Sequence, residues 1–124
     1  MCLLVSGYTL TTSSDNATIG LDFPFTCVTT ETSILFNRDI TTVCAITRGN
    51  TDGTCILSKS CIANYTYTCN HIANAYTVTI PGSYLIESLH GTTWTCQHPF
   101  GGGTSNTKIL YVNGELFFFF LLFV

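Results

Sequence analysis

Seven cysteines in a chain of 124 residues constrain the fold more than any other feature. Reduced cytosolic proteins seldom carry so many thiols without a metal or redox motif, and no two of these stand in a C-x-x-C pair. The cysteines therefore read as a disulfide framework made in an oxidising compartment. Asn16-Ala17-Thr18 and Asn64-Tyr65-Thr66 both spell N-glycosylation acceptors, which have meaning only on a secretory route. The length suits one domain with one core. Four Lys or Arg against seven Asp or Glu give a net charge of −3, with no run of either sign. A nucleic-acid binder needs a clustered basic face to displace counterions from phosphates, so nucleic acid is not expected as a partner.

Threonine dominates the polar residues and recurs in pairs or alternation, as at Thr29 and Thr30 or Thr77 and Thr79. β-Branched and aromatic side chains suit a pleated, half-buried surface. Leu21, Phe23, Phe25 and Cys27 fall on one face at period two, predicting a strand that turns its cysteine inward. Ile34 to Phe36 reads as a buried central strand before a turn at Asn37 to Asp39, and Thr41 to Thr47 as another strand with Cys44 in its middle. Gly49 to Gly53 is a strong turn signal, because Asn, Asp and Gly tolerate positive φ. Tyr65 to Cys69 and Tyr76 to Ile80 alternate as half-buried strands; Thr92 to Gln97 places Trp94 and Cys96 on one face; Ile109 to Val112 reads as a last strand. Short strands with frequent turns and no helical periodicity predict an all-β sandwich or barrel. The expected core includes Phe25, Phe36, Val78, Leu85 and Trp94.

Cys27 and Cys96 thus sit mid-strand and inward, 69 residues apart. In this the sequence resembles the immunoglobulin superfamily, over residues 8 to 113, and with extra strand-like segments between residues 41 and 69 it looks like the variable type more than the constant type. Tyr76 to Pro81 with Leu85, then Thr93-Trp94-Thr95-Cys96, resembles the family's E strand, E to F corner and F strand. Phe100 to Thr104 and Ile109 to Val112 resemble an F to G turn and a G strand. The chain departs from the pattern at Trp94, where the family usually has Tyr, at His90 and Thr92 in the corner, and at Phe36, nearest the place of the usual strand-C Trp. The further cysteines and the threonine richness are similar to immunoglobulin-like surface proteins of bivalve molluscs.

The resemblance implies an immunoglobulin-like antiparallel two-sheet sandwich joined by a Cys27–Cys96 disulfide. Cys44, Cys55, Cys61 and Cys69 then allow three connectivities, of which Cys55 with Cys61 and Cys44 with Cys69 is favoured here, leaving Cys2 unpaired.

Chemistry is not expected. Cys69-Asn70-His71 and Cys96-Gln97-His98 repeat a C-x-H spacing, but structural zinc sites present paired ligands at other spacings. No nucleophile elbow, H-E-x-x-H, Walker loop or Rossmann fingerprint is present. Asp22, Glu31, Asp39, Asp52 and Glu87 read as solvated surface. No enzyme activity, cofactor or metal is expected.

The function expected from the resemblance is extracellular recognition of a protein or surface glycan through loops at one end of the sandwich, Thr29 to Ser33, Gly49 to Gly53 and Gln97 to Asn106, or through an exposed sheet face. The alternative is a secreted, disulfide-rich structural or self-associating domain. Residues 1–7 read as a leader remnant. Residues 114–124, all apolar from Leu116 to Val124, read as the start of a truncated transmembrane segment, a bilayer crossing needing about 20 residues.

Overall fold

A computed structural model describes residues 7–49, 54–62 and 64–113; the expected leader remnant up to residue 6 and the apolar tail lie outside the described residues. Eleven strands follow one another: β1 (Thr9–Thr12), β2 (Asn16–Thr18), β3 (Phe23–Val28), β4 (Ser33–Arg38), β5 (Thr41–Arg48), β6 (Cys55–Lys59), β7 (Thr66–Asn70), β8 (Ala75–Ile80), β9 (Thr93–Gln97), β10 (Lys108–Ile109) and β11 (Tyr111–Asn113). Two short 3-10 turns, Gly82–Tyr84 and Glu87–Leu89, carry the chain from β8 to β9.

Alternation builds the layers. In β3 every second residue, Phe23, Phe25 and Cys27, is buried, and its partner β8 buries Tyr76, Val78 and Ile80, with Phe25 opposite Val78 and Cys27 opposite Tyr76. In β4 and β9 the buried residues are Ile34 and Phe36, then Trp94 and Cys96. The resulting antiparallel sheets, ordered β1-β3-β8-β7 and β10-β9-β4-β5-β6, stack their apolar faces into one core. A short parallel pair, β2 with β11, joins the chain's early and late segments. The protein is an all-β sandwich. Phe25, Phe36, Val78, Leu85 and Trp94 are all at most 1% exposed.

Trp94 stacks on Phe25 of the opposite sheet at 4.3 Å between ring centroids, and lies 6.4 Å from Tyr65. Its indole N–H donates to Thr92 Oγ1 (3.0 Å), whose hydroxyl donates to the Leu89 carbonyl (2.7 Å). The buried ring therefore leaves no polar atom unpaired.

The register differs from the sequence expectation in three places. Leu21 does not share the inward face: β3 begins at Phe23 and Leu21 is 63% exposed. The backbone reverses just before it, with Gly20 at φ 93° and Leu21 N–H donating to the Thr18 carbonyl, and Gly82 packs against the Gly20 carbonyl so closely that a Cβ would meet it at 2.3 Å. Ile109 to Val112 is not one strand. β10 pairs with β9 and β11 with β2, while Leu110 between them is buried and both donates to the Thr92 carbonyl and accepts from Gly91 N–H. The turn after β4 is tighter than expected: Asn37 and Arg38 remain in the strand, and Asp39, at φ 53°, and Ile40 make the reversal.

Of the three disulfides among the described residues, two join the sheets and one lies within the larger sheet's side. Cys27 of β3 and Cys96 of β9 join the sheets through the core, with Cα atoms 6.3 Å apart. The other pairs are Cys44 with Cys61 and Cys55 with Cys69, in place of the expected Cys55–Cys61 and Cys44–Cys69. Cys55 opens an extended strand that Cys61 lies beyond, so about 13 Å or more of strand separates them at roughly 3.3 Å per residue, too far for a disulfide. Past β6 the chain returns to β5, where Ile62 N–H donates to the Val43 carbonyl, and this sets Cys61 beside Cys44. Cys55 instead faces Cys69 of β7, so the bond spans the two sheets' edge strands on one side of the sandwich.

Candidate recognition surface

The loops at residues 29–33 and 97–106 gather at one end of the sandwich beside Gly49, and Arg48 ties the first of them to the β7–β8 turn. Its guanidinium donates to the Thr30 carbonyl (3.0 Å), the Glu31 carbonyl (3.2 Å) and Asn74 Oδ1 (2.9 Å), and lies 5.5 Å from the Tyr76 ring centroid. Its backbone N–H donates to the Thr32 carbonyl, and Thr29 N–H to the Asn74 carbonyl. The Tyr76 hydroxyl donates to the Glu31 carbonyl. Thr30 and Glu31 thus find donors for their carbonyls in one side chain from β5 and one from β8. Burial pushes the Tyr76 phenol above its usual range, while Arg48 opposes that rise.

The β9–β10 loop joins the same end through Tyr8, whose ring is so close to Gly103 that a Cβ there would approach within 2.7 Å. Burial raises the Tyr8 phenol, and the charge of Glu31 on the β3–β4 loop adds to it. Beyond this contact the loop turns at Gly101 (φ 81°) and Gly102 (φ 106°) and leaves Phe100 92% exposed. The Phe100 backbone N–H donates to His98 Nδ1 (3.1 Å), and the two rings lie 5.9 Å apart. Of the Gly49 to Gly53 loop only Gly49 is described, its N–H donating to the Thr54 carbonyl; residues 50–53 lie outside the described residues.

Behind the loop, the backbone of Cys96 is fixed by Ser105, whose hydroxyl accepts from Cys96 N–H (2.9 Å) and donates to the Asn106 carbonyl (2.8 Å). Asn106 then acts as a substitute strand: Leu10 N–H donates to its Oδ1 (2.9 Å) and its Nδ2 donates to the Leu10 carbonyl (3.0 Å). The C-terminal end of the loop is thereby pinned both to the disulfide strand and to β1, while its N-terminal end runs straight on from β9.

The outer face of the larger sheet is the second expected contact surface. Asn37, Thr95 and Gln97 lie on it, with Asn37 donating to Gln97 Oε1 (3.0 Å) and accepting from Thr42 (3.3 Å), and Ser33 and Thr47 sharing a hydroxyl hydrogen bond (2.8 Å). These amides and hydroxyls satisfy one another, and the face also carries the exposed Ile56 and Ile109.

Two carboxylates cap backbone N–H groups. Asp39 accepts from Thr93 N–H (2.9 Å) and Thr93 Oγ1 (3.0 Å), bonds that hold its carboxyl below the usual range. Asp22 accepts from Gly82 N–H (2.8 Å). Cys69 and Cys96 are oxidised, so neither C-x-H pair offers a thiolate, and among the described residues no group of three His, Cys, Asp or Glu could hold a metal ion. Asn16 and Asn64 are both exposed; Asn16 opens β2, whereas Asn64 precedes β7 and donates to the Tyr84 hydroxyl (2.7 Å). No helix among the described residues is long and apolar enough to cross a membrane.

Arg48, Tyr8, Ser105 and Asn106 carry no signal of these roles in the sequence, since each acts through backbone groups remote in the chain. The nearest signal is Arg48's position before the Gly49 turn, as one of four cations in the whole chain. Comparison with family models and with curated proteins finds no match.

Proposed function

We propose that the chain is a variable-type immunoglobulin-like domain that recognises a protein or glycan partner outside the cell, through the loop end carrying Phe100. Strand order supports the family reading: the variable type sets a four-stranded sheet against one extended by two further strands, tied by a disulfide between an early strand and a penultimate one, as β1-β3-β8-β7 and β10-β9-β4-β5-β6 are tied by Cys27–Cys96. Three disulfides suit an oxidising environment. The tail from Leu116 would tether the domain to a membrane.

One observation carries the recognition role: an almost fully exposed aromatic ring stands on a loop that leaves β9 and is pinned back to β9 and β1 where it ends. Exposing Phe100 costs apolar burial, and pinning its loop removes entropy a partner would otherwise have to overcome, so the arrangement favours binding over folding. The test is staining of cells by a fluorescent multimer of the purified chain. F100A should abolish staining while far-UV circular dichroism stays unchanged. Equal staining by F100A, or a wild-type chain that stains nothing and forms concentration-dependent oligomers, would overturn the reading, the latter in favour of self-association.

A further inference from the structure

We infer that Asn64 carries an N-linked glycan whose first sugar seats on Tyr84 and covers the cleft beside it. At the end of the sandwich opposite Phe100, a cleft of about 460 Å³ runs between the β7 approach and the corner after β8, lined among others by Arg38, Ile62, Tyr65, Tyr84, Ile86 and Leu89. That volume falls within the roughly 300–1,000 Å³ of small-ligand sites. Its rim exposes apolar surface without evident use, Tyr84 being 39% and Ile86 52% exposed.

Asn64 stands at this rim in the acceptor triplet Asn64-Tyr65-Thr66, exposed in both Asn64 and Thr66. The amide nitrogen that would bear the sugar donates at 2.7 Å to the hydroxyl of Tyr84, a residue that lines the cleft. Glycosylation replaces one of the two Nδ2 hydrogens. The amide nitrogen bonds to C1 of N-acetylglucosamine, the C1–O bond to the lipid pyrophosphate donor breaks, and the displaced proton leaves with the pyrophosphate. The remaining N–H can still donate to Tyr84, which holds the first sugar over a ring whose apolar body and polar tip match a sugar's two kinds of surface. The Arg38 guanidinium, 3.4 Å from the Tyr65 hydroxyl, supplies a donor deeper in the same cleft. Asn16, the other acceptor, lies in a strand paired with β11 and makes no such bond to an aromatic hydroxyl among the described residues.

The inference rests on the secretory reading given above, and the experiment separates the two. The full chain is expressed behind a secretory leader in animal cells and mapped by glycopeptide mass spectrometry. Asn64 should be occupied, lost in N64Q and T66A and retained in T66S. Trimming the glycan to its first sugar should leave Tm nearly unchanged, whereas complete removal should lower it by about 4–5 °C, the shift expected of a single contact in a domain of roughly 110 residues. In Y84A removal should shift Tm by less than half as much. A secreted, disulfide-bonded chain bare at Asn64 overturns the glycan and leaves the recognition role standing. An occupied Asn64 with equal Tm losses in wild type and Y84A overturns the seat. A chain kept reduced and intracellular overturns both readings.

Discussion

Single side chains in this protein replace strand ladders, and their removal should cost accordingly. Arg48 satisfies two carbonyls and an amide from two different loops. Lys can reach one acceptor but lacks the planar fork. R48K is expected to lose about 1–2 kcal/mol in urea unfolding, and R48M about 2–3, the range for hydrogen bonds to a charged group, with faster amide exchange at residues 30–32. Asp39 is a cleaner pH probe. Its native pKa is depressed by the two Thr93 bonds, so its contribution is present above the ordinary carboxylate value of 3.8 and lost as pH falls through the lower native value. Asn accepts from the same donors, does not titrate and tolerates φ 53°. D39N should therefore flatten the loss of Tm below pH 4 that wild type shows. At the alkaline limit the sign reverses. Tyr8, Tyr65 and Tyr76 have raised pKa values from burial, so their contribution is complete below pH 10 and fades above it.

Elements whose residues alternate are legible in the amino-acid sequence, β7 among them although it buries only Cys69, and β1 and β6 are not. β3, β4, β8 and β9 announce themselves because their inward residues are large and alternate. β6 buries none of its five residues and β1 only Leu10, so neither leaves a period-two signal. The silence of β6 also misdirects the disulfide pairing, since a loop can bring Cys55 to Cys61 and a strand cannot. β5 hides its pattern differently: Val43 is an extra residue opposite β4, a bulge between the Cys44–Phe36 and Thr42–Asn37 pairs, so Val43 to Ile46 are all buried and alternation disappears. The loops of the recognition end are identifiable from turn chemistry, but their bracing is not, because Arg48 and Asn106 act across 17 to 96 residues of chain. Asn106 gives the sharpest test at this scale. N106L leaves both backbone groups of Leu10 unpaired inside the sandwich, where each orphaned group costs about 1–3 kcal/mol. The expected loss in chemical denaturation lies toward the upper part of that range, with β1 amides exchanging first.

At the scale of the molecule, two of the three disulfides, Cys27–Cys96 and Cys55–Cys69, hold the two sheets together, while Cys44–Cys61 ties β5 to the segment that follows β6. A chain-entropy account gives about 4 kcal/mol for the long Cys27–Cys96 loop and about 3 for each short one, against a total stability of about 5–15 kcal/mol for a typical domain. The first also sits among Phe36, Tyr76 and Trp94 at the centre, so C27A/C96A adds an unfilled core volume to the lost constraint. That variant should not secrete as a folded protein. Cys55–Cys69 is different in kind, because it joins edge strands that otherwise make few contacts with each other. The opposite side of the sandwich needs no such bond, since the β2–β11 pair and the Asn106 amide close it. C55A/C69A should therefore fold, with unfolding free energy lower by about 3 kcal/mol, and hydrogen exchange should rise in β6 and β7 while β3, β8 and β9 stay protected. Uniform loss of protection across both sheets would show that the edge bond holds the core as well, and that the sandwich is not closed independently on its two sides.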